Sequence, residues 1–144
     1  MQLNCACQAD AHGVTMTGYF QKSSPADSIS AARDAHQRLL DAMPIPAYVL
    51  DTSGIYICVN RAFEDAFGLA PNAVLGKDTG KIELFHVMQR HKFKMDQMAV
   101  LSSGTALQSL RETEPAKRAR RKDLFFESCM YRADGIVDGL IGIA

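Results

Sequence analysis

The sequence predicts an α+β fold, a five-stranded antiparallel sheet with helices packed on one face, preceded by an N-terminal flanking helix. Three observations carry this. Two apolar runs, "AYVLD" and "IYICV", flank the turn "TSG" and read as a hairpin. One long helix-periodic segment runs from Leu84 to Ser102. Three further strand-like runs, "ALQSLRET", "DLFFESCMYR" and "IVDGLIGIA", follow it without an intervening helix. Strands grouped at both ends with helices between them favour an antiparallel sheet over alternating βαβ units.

Taken in order, residues 1–23 show no periodicity and read as a mobile tail. Its Cys5, Cys7 and His12 could touch a metal, but a second ligand pair at zinc spacing is missing and the plainer reading is a loose tail. Residues 24–43 form the flanking helix. Ser24 suits the N-cap, Pro25 the first turn and Asp27 the positive end of the dipole, while Ile29, Ala32, His36, Leu39 and Met43 make an apolar stripe suited to dimer formation. Pro44 and Pro46 end the helix, and residues 44–144 form the domain proper. After the hairpin, Asn60 caps "RAFEDAF", which puts Phe63 and Phe67 on one face, and Gly68 closes it. Pro71 starts another single turn. On the long helix Leu84, Val87, Met88, His91, Met95, Met98 and Ala99 share one face, with Phe93 and Val100 as exceptions on the polar side. The basic stretch "EPAKRARRK" joins the next two strands, and "ADG" turns into the last.

Composition narrows the function. At 144 residues, 47% hydrophobic and 22% charged, the chain is long enough for one globular core. Sixteen basic residues balance sixteen acidic ones, which removes the main electrostatic case for nucleic-acid binding. No apolar run approaches the roughly 20 residues of a membrane span, and the N-terminus lacks the basic and apolar regions of a signal peptide, so the expected compartment is cytoplasmic. No phosphate loop, zinc-protease motif or nucleophile elbow is present, so the chain is not expected to be an enzyme.

The segment "LLDAMPIPAYVLDTSGIYICVNRAFEDAFGLAPNAVLGK", with Asp51, Gly54, Asn60, Phe63, Gly68 and Gly76, resembles the opening of the PAS family of sensor domains. "VLSSGTAL" resembles the end of that family's long helix, and "ADGIVDGLIGIA" its closing hairpin. Ala70 stands where a polar cap is usual, and "AKRARRK" replaces a short Asp-Gly turn. The resemblance implies a pocket between sheet and long helix for a small-molecule ligand, heme or flavin. It also implies a homodimer, and an effector domain beyond Ala144 such as a kinase, a cyclase or phosphodiesterase, or a DNA-binding domain. A ligand-free dimerisation module is the alternative.

Within that frame the pocket candidates are Phe63, Phe67, Met88, His91, Met95, Met98, Ser109, Arg111, Phe126, Ser128 and Met130, with Asn60, Gly54 and Gly68 as structural positions. His91, among methionines, resembles the heme ligand of oxygen-sensing members; a gap-free count back from Gly104 puts Phe93 at that position instead. The methionines read as core or as an adaptable pocket lining. "GKDTGKIELF" has no cysteine where flavin photosensors carry their reactive one, so adduct photochemistry is not expected. Cys58 and Cys129 read as buried, unreactive thiols. On the "DLFFESCMY" strand the less polar set Leu124, Phe126, Ser128 and Met130 is expected to face the helices. Arg111 shares a face with Leu107 and Ser109; turned inward it would clamp a carboxylate, turned outward, the safer expectation, it would be a solvated charge. The basic run Lys117 to Lys122 reads as a solvated turn.

Overall fold

The computed structural model describes residues 25–115 and 118–144. The expectations for the 1–23 tail, for the Ser24 cap and for Lys117 fall outside the described residues. The polypeptide divides into two units, residues 1–36 and 37–144. Helix α1, Pro25–Asp41, begins at its proline and carries Asp27 in its first turn and Arg38 in its last, both favourable to the helix dipole.

The second unit holds one sheet. Strands β1 (Ala47–Leu50), β2 (Tyr56–Val59), β3 (Leu107–Thr113), β4 (Arg121–Tyr131) and β5 (Val137–Ile143) are arranged in the order β2-β1-β5-β4-β3. Every neighbouring pair is antiparallel. The strand that comes last in sequence therefore occupies the centre. Helix α2 (Arg61–Phe67), two 3-10 turns (Pro71–Ala73 and Thr79–Lys81) and the long helix α3 (Val87–Ser103) lie between β2 and β3 in sequence. The α+β architecture expected from the order of elements is the observed one.

Alternation along the strands separates two apolar clusters. Tyr48 and Leu50 of β1, Phe125 of β4 and Leu140 of β5 pack against Phe63 and Phe67 of α2 and Phe93, Val100 and Leu101 of α3. Ala47 and Val49, with Ile141 and Ile143, point the other way and meet Leu40 and Met43. In the last turn of α1, Leu40 is buried and Leu39 is 70% exposed, so the expected stripe fails at Leu39, while Met43 beyond the helix packs against Leu40.

Asn60 fixes the corner where sheet becomes helix. Its Oδ1 accepts from the backbone N–H groups of Phe63 and Ala47 at 2.9 and 2.8 Å. Its Nδ2 donates to the carbonyls of Leu40 and Ile45, both at 2.9 Å. One buried side chain thus caps α2, ties its start to β1 and holds the end of α1. Gly68, at φ 66°, supplies the left-handed cap that ends α2 by donating to the Glu64 carbonyl.

Candidate functional site: an ion pair buried between sheet and helix

The inner face of the sheet carries charge. Arg111 of β3 and Glu127 of β4 both point at α3, and neither side chain reaches solvent. Arg111 Nη1 and Nη2 donate to Glu127 Oε1 and Oε2 at 3.0 and 2.5 Å, a bidentate pairing. The guanidinium carbon sits 4.8 Å from the Phe93 ring centre and 4.9 Å from that of Phe125. A planar cation lying between two ring faces suits arginine and not lysine.

Other donors converge on the same carboxylate. Gln97 of α3 donates to Glu127 Oε1 at 2.7 Å, and the Tyr48 hydroxyl at 2.5 Å. The Thr79 hydroxyl donates to Gln97 Oε1 at 2.5 Å and lies 3.3 Å from the Tyr56 hydroxyl. The network therefore joins β1, β2, β3, β4, α3 and the second 3-10 turn. A bare position on the central strand makes this reach possible. Gly142 pairs with Tyr48 on one side and with Glu127 on the other. A Cβ at Gly142 would lie 2.1 Å from the Tyr48 ring, so the tyrosine crosses β5 only because the side chain is missing.

The surroundings set the protonation states. Burial, reinforced by the Glu127 charge, drives the Tyr48 hydroxyl well above its ordinary pKa of 10.0. Burial likewise raises Tyr56 to about 12, against the opposing hydrogen bond to Thr79. For Arg111 burial acts to lower the pKa, but the hydrogen bonds and charge of Glu127 outweigh it, and the guanidinium is held more firmly protonated than in water.

The cluster is incompletely satisfied. Arg111 Nε and Ser109 Oγ are buried with no hydrogen-bond partner among the described residues. Each such group costs on the order of 1–3 kcal/mol if left bare. They stand two residues apart on β3, on the same face.

The sequence-derived candidates divide accordingly. Phe63, Phe67, Ser109 and Arg111 lie on the inner side, and Met98 packs partly against that core. Met88 is 80% exposed, Met95 52%, and His91 is exposed with them. The buried face of α3 is Phe93, Gln97, Val100 and Leu101, the side first assigned as polar. The heme reading through His91 is corrected for that reason: its imidazole points away from the sheet, and Phe93 occupies the inward position. Those residues do not fit a heme ligated from α3. The assignment on β4 is reversed as well. Phe125, Glu127 and Cys129 face the helices, whereas Phe126 and Ser128 are exposed on the other face and Met130 belongs to the outer cluster. Phe126 and Ser128 line a groove of about 560 Å3 there, with Ile141 and Ile143. Cys129 is buried, its thiol donating to the Val100 carbonyl, while Cys58 is half-buried and donates to Gln37 Oε1. Arg111 takes the less expected inward course, and the carboxylate it clamps belongs to the chain itself.

Tyr48, Tyr56, Thr79, Gln97 and Glu127 complete the cluster and were not foreseen. The available signal was the 93/97/100/101 spacing on α3, which is helical, and the shared parity of Glu127 with Phe125 and Cys129.

A sheet of five antiparallel strands in this order, with helices over its inner face, agrees with the sequence resemblance. A family model described as the PAS fold matches residues 40–144. The chain belongs to the PAS-fold family. Solved PAS structures superimpose on it. The PAS domain of BvgS from Bordetella pertussis aligns with a TM-score of 0.67 at 22% identity, covering 78% of this chain and 84% of that one. VqmA bound to DPO gives 0.65 at 15%, covering 76% of this chain and 54% of VqmA. The LOV protein of Rhodobacter sphaeroides gives 0.63 at 16%, covering 74% and 61%. No curated protein matches. As a PAS domain the chain has the fold of sensory modules. No helix among the described residues is long and apolar enough to cross a membrane.

Proposed function

We propose that this PAS domain is a cytoplasmic sensory module, not a catalyst, that binds a small molecule between the sheet and α3. The incomplete hydrogen bonding of the buried cluster carries the reading. A core that held only structural polar groups would satisfy them, as the Asn60 corner does. Arg111 Nε and Ser109 Oγ instead offer unused hydrogen-bonding capacity at the place where the sheet faces the long helix. VqmA, whose fold is similar, binds DPO. Occupancy of the site would favour one arrangement of sheet and helices, and a homodimer would pass that population shift to an attached effector. The flanking helix of residues 24–43 belongs to the relay in this reading, and residues 44–144 to the sensor.

A thermal-shift screen of a metabolite panel tests this. A ligand at a hundredfold its Kd should stabilise the domain by about 2.7 kcal/mol. A panel without any stabilising compound, together with a native mass spectrum showing only the polypeptide, overturns the ligand reading.

One observation favours a second reading, a ligand-free interaction module. The space beneath α3 is filled by the chain's own Phe63, Phe67, Phe85, Phe93 and Phe125. On the outer face of the sheet, meanwhile, Leu110 is 63% exposed, Leu124 40% and Phe126 44%. A stable dimer by light scattering, unaffected by any compound of the panel, supports it.

A further inference from the structure

The charge arrangement of the buried cluster restricts what could occupy it, and this inference rests on the sensory reading above. Glu127 already accepts four hydrogen bonds: Oε1 from Tyr48, Gln97 and Arg111, and Oε2 from Arg111. The formal charges of Arg111 and Glu127 cancel inside a core closed to solvent. An anionic ligand would set a second negative charge near Glu127 and would have to compete with it for Arg111. A cationic one would face the guanidinium. Either charge would lack a counterion in a low-dielectric space, where such a charge is strongly disfavoured. What the cluster leaves open is a single cationic N–H, Arg111 Nε, and two residues away on the same face of β3 one hydroxyl, Ser109 Oγ. A hydrogen-bond acceptor completes both. The faces of Phe93 and Phe125 already hold the guanidinium and bring no polar group of their own.

We propose that the ligand is a small, uncharged molecule, and that its carbonyl oxygen or ring nitrogen accepts from Arg111 Nε and Ser109 Oγ. Arg111 is then the positioning group for the acceptor, Glu127 the group that fixes Arg111, and Ser109 the specificity determinant. The same pair of donors could instead be served by a trapped water molecule, and the test separates the two.

The probes are 2-pyridone, nicotinamide and uracil as neutral acceptors, with benzoate, benzamidine and toluene as the anionic, cationic and acceptor-free comparisons, all at millimolar concentration. The readout is the Arg111 Nε–H resonance in a 1H–15N spectrum, assigned with Arg111→Lys, alongside the unfolding midpoint. The expected result is that at least one neutral acceptor moves that resonance and raises the midpoint, whereas the comparison molecules do neither. Ser109→Ala, which removes one small hydroxyl and should fold normally, is expected to weaken the responding probe about tenfold, the loss of one hydrogen bond. The proposal is overturned if benzoate or benzamidine moves the resonance as far, if Ser109→Ala binds the probe unchanged, or if no neutral probe moves it, the outcome of a water-only site. A panel compound that stabilises the domain without moving the Arg111 resonance overturns this inference alone. Failure of the whole panel removes the sensory reading with it.

Discussion

Two buried polar centres hold this domain together, and they are built on opposite principles. The Asn60 corner is neutral and complete: four hydrogen bonds use its amide oxygen twice and its amide nitrogen twice. The Arg111–Glu127 cluster is charged and incomplete, with donors from two strands and a helix focused on one carboxylate while Arg111 Nε and Ser109 Oγ stay unused. A complete centre serves geometry, since nothing further can bind it. An incomplete one retains a hydrogen-bonding capacity that something else can meet.

The comparison can be broken from either side. The largest effect should come from splitting the ion pair. Glu127→Gln leaves a buried guanidinium without its counter-charge, and chemical denaturation should show a loss of about 3–5 kcal/mol. Replacing both partners, as in Arg111→Met with Glu127→Leu, should recover only part of that loss, because the stranded charge is gone but Tyr48 and Gln97 lose their acceptor. If the double variant is as unstable as the single one, the pair is a net stabiliser and the contrast with Asn60 disappears. Asn60→Ala comes next, at about 2–3 kcal/mol in the same measurement, from the lost cap and the buried backbone groups left unpaired. Here no second substitution should compensate, because the orphaned partners are main chain.

Alkaline titration sharpens the contrast further, since only the cluster contains tyrosines. Tyr56 titrates at about 12 in the folded chain and 10.0 as its ordinary value. Between those values the unfolded chain has lost a proton that the folded one retains, so stability falls as pH rises. It is fully present below pH 10 and declines toward pH 12, by about 2–3 kcal/mol from this group. Tyr48 shifts in the same direction and adds to the decline. Denaturation midpoints across this range should flatten in Tyr56→Phe. The smallest effect is expected on the exposed side of α3. His91→Ala and Met88→Ala should change stability by less than about 0.5 kcal/mol, since neither contacts the core; a larger loss would show that this face is covered.

The Asn60 corner was legible in the sequence and the cluster was not, for a physical reason. A cap is local: asparagine before an amphipathic turn announces itself within four residues. The ion pair is non-local, and each partner conceals the other. Glu127 made its side of β4 look like the solvent face, and Arg111 made outward orientation look safer on β3. Both inferences are sound for an isolated charge, and both fail once the charges meet. The same logic misplaced α3. Gln97 made the buried face look polar, while the unbranched, exposed Met88 and Met95 made the outer one look like core. The succession of strands and helices along the chain and the glycine caps were readable because they depend on period and on turn chemistry; the facing of β4 and α3 depends on partners far away in sequence.

The placement of β5 has one more consequence, and it concerns how the chain assembles. Of the five strands of this sheet, the one synthesised last fills the centre. Until it arrives, β1–β2 and β3–β4 can exist only as two separate hairpins, each with an open edge at the place where β5 belongs. The Tyr48–Glu127 bond, which spans 79 residues of sequence, cannot form before those edges are joined. The growing polypeptide therefore carries the open edge of β1–β2 from Val59 until β5 is made, and that of β3–β4 from Tyr131. The seven residues of β5 convert them into one sheet in a single step, so the interval before that step is when the domain is most exposed to mispairing with its neighbours.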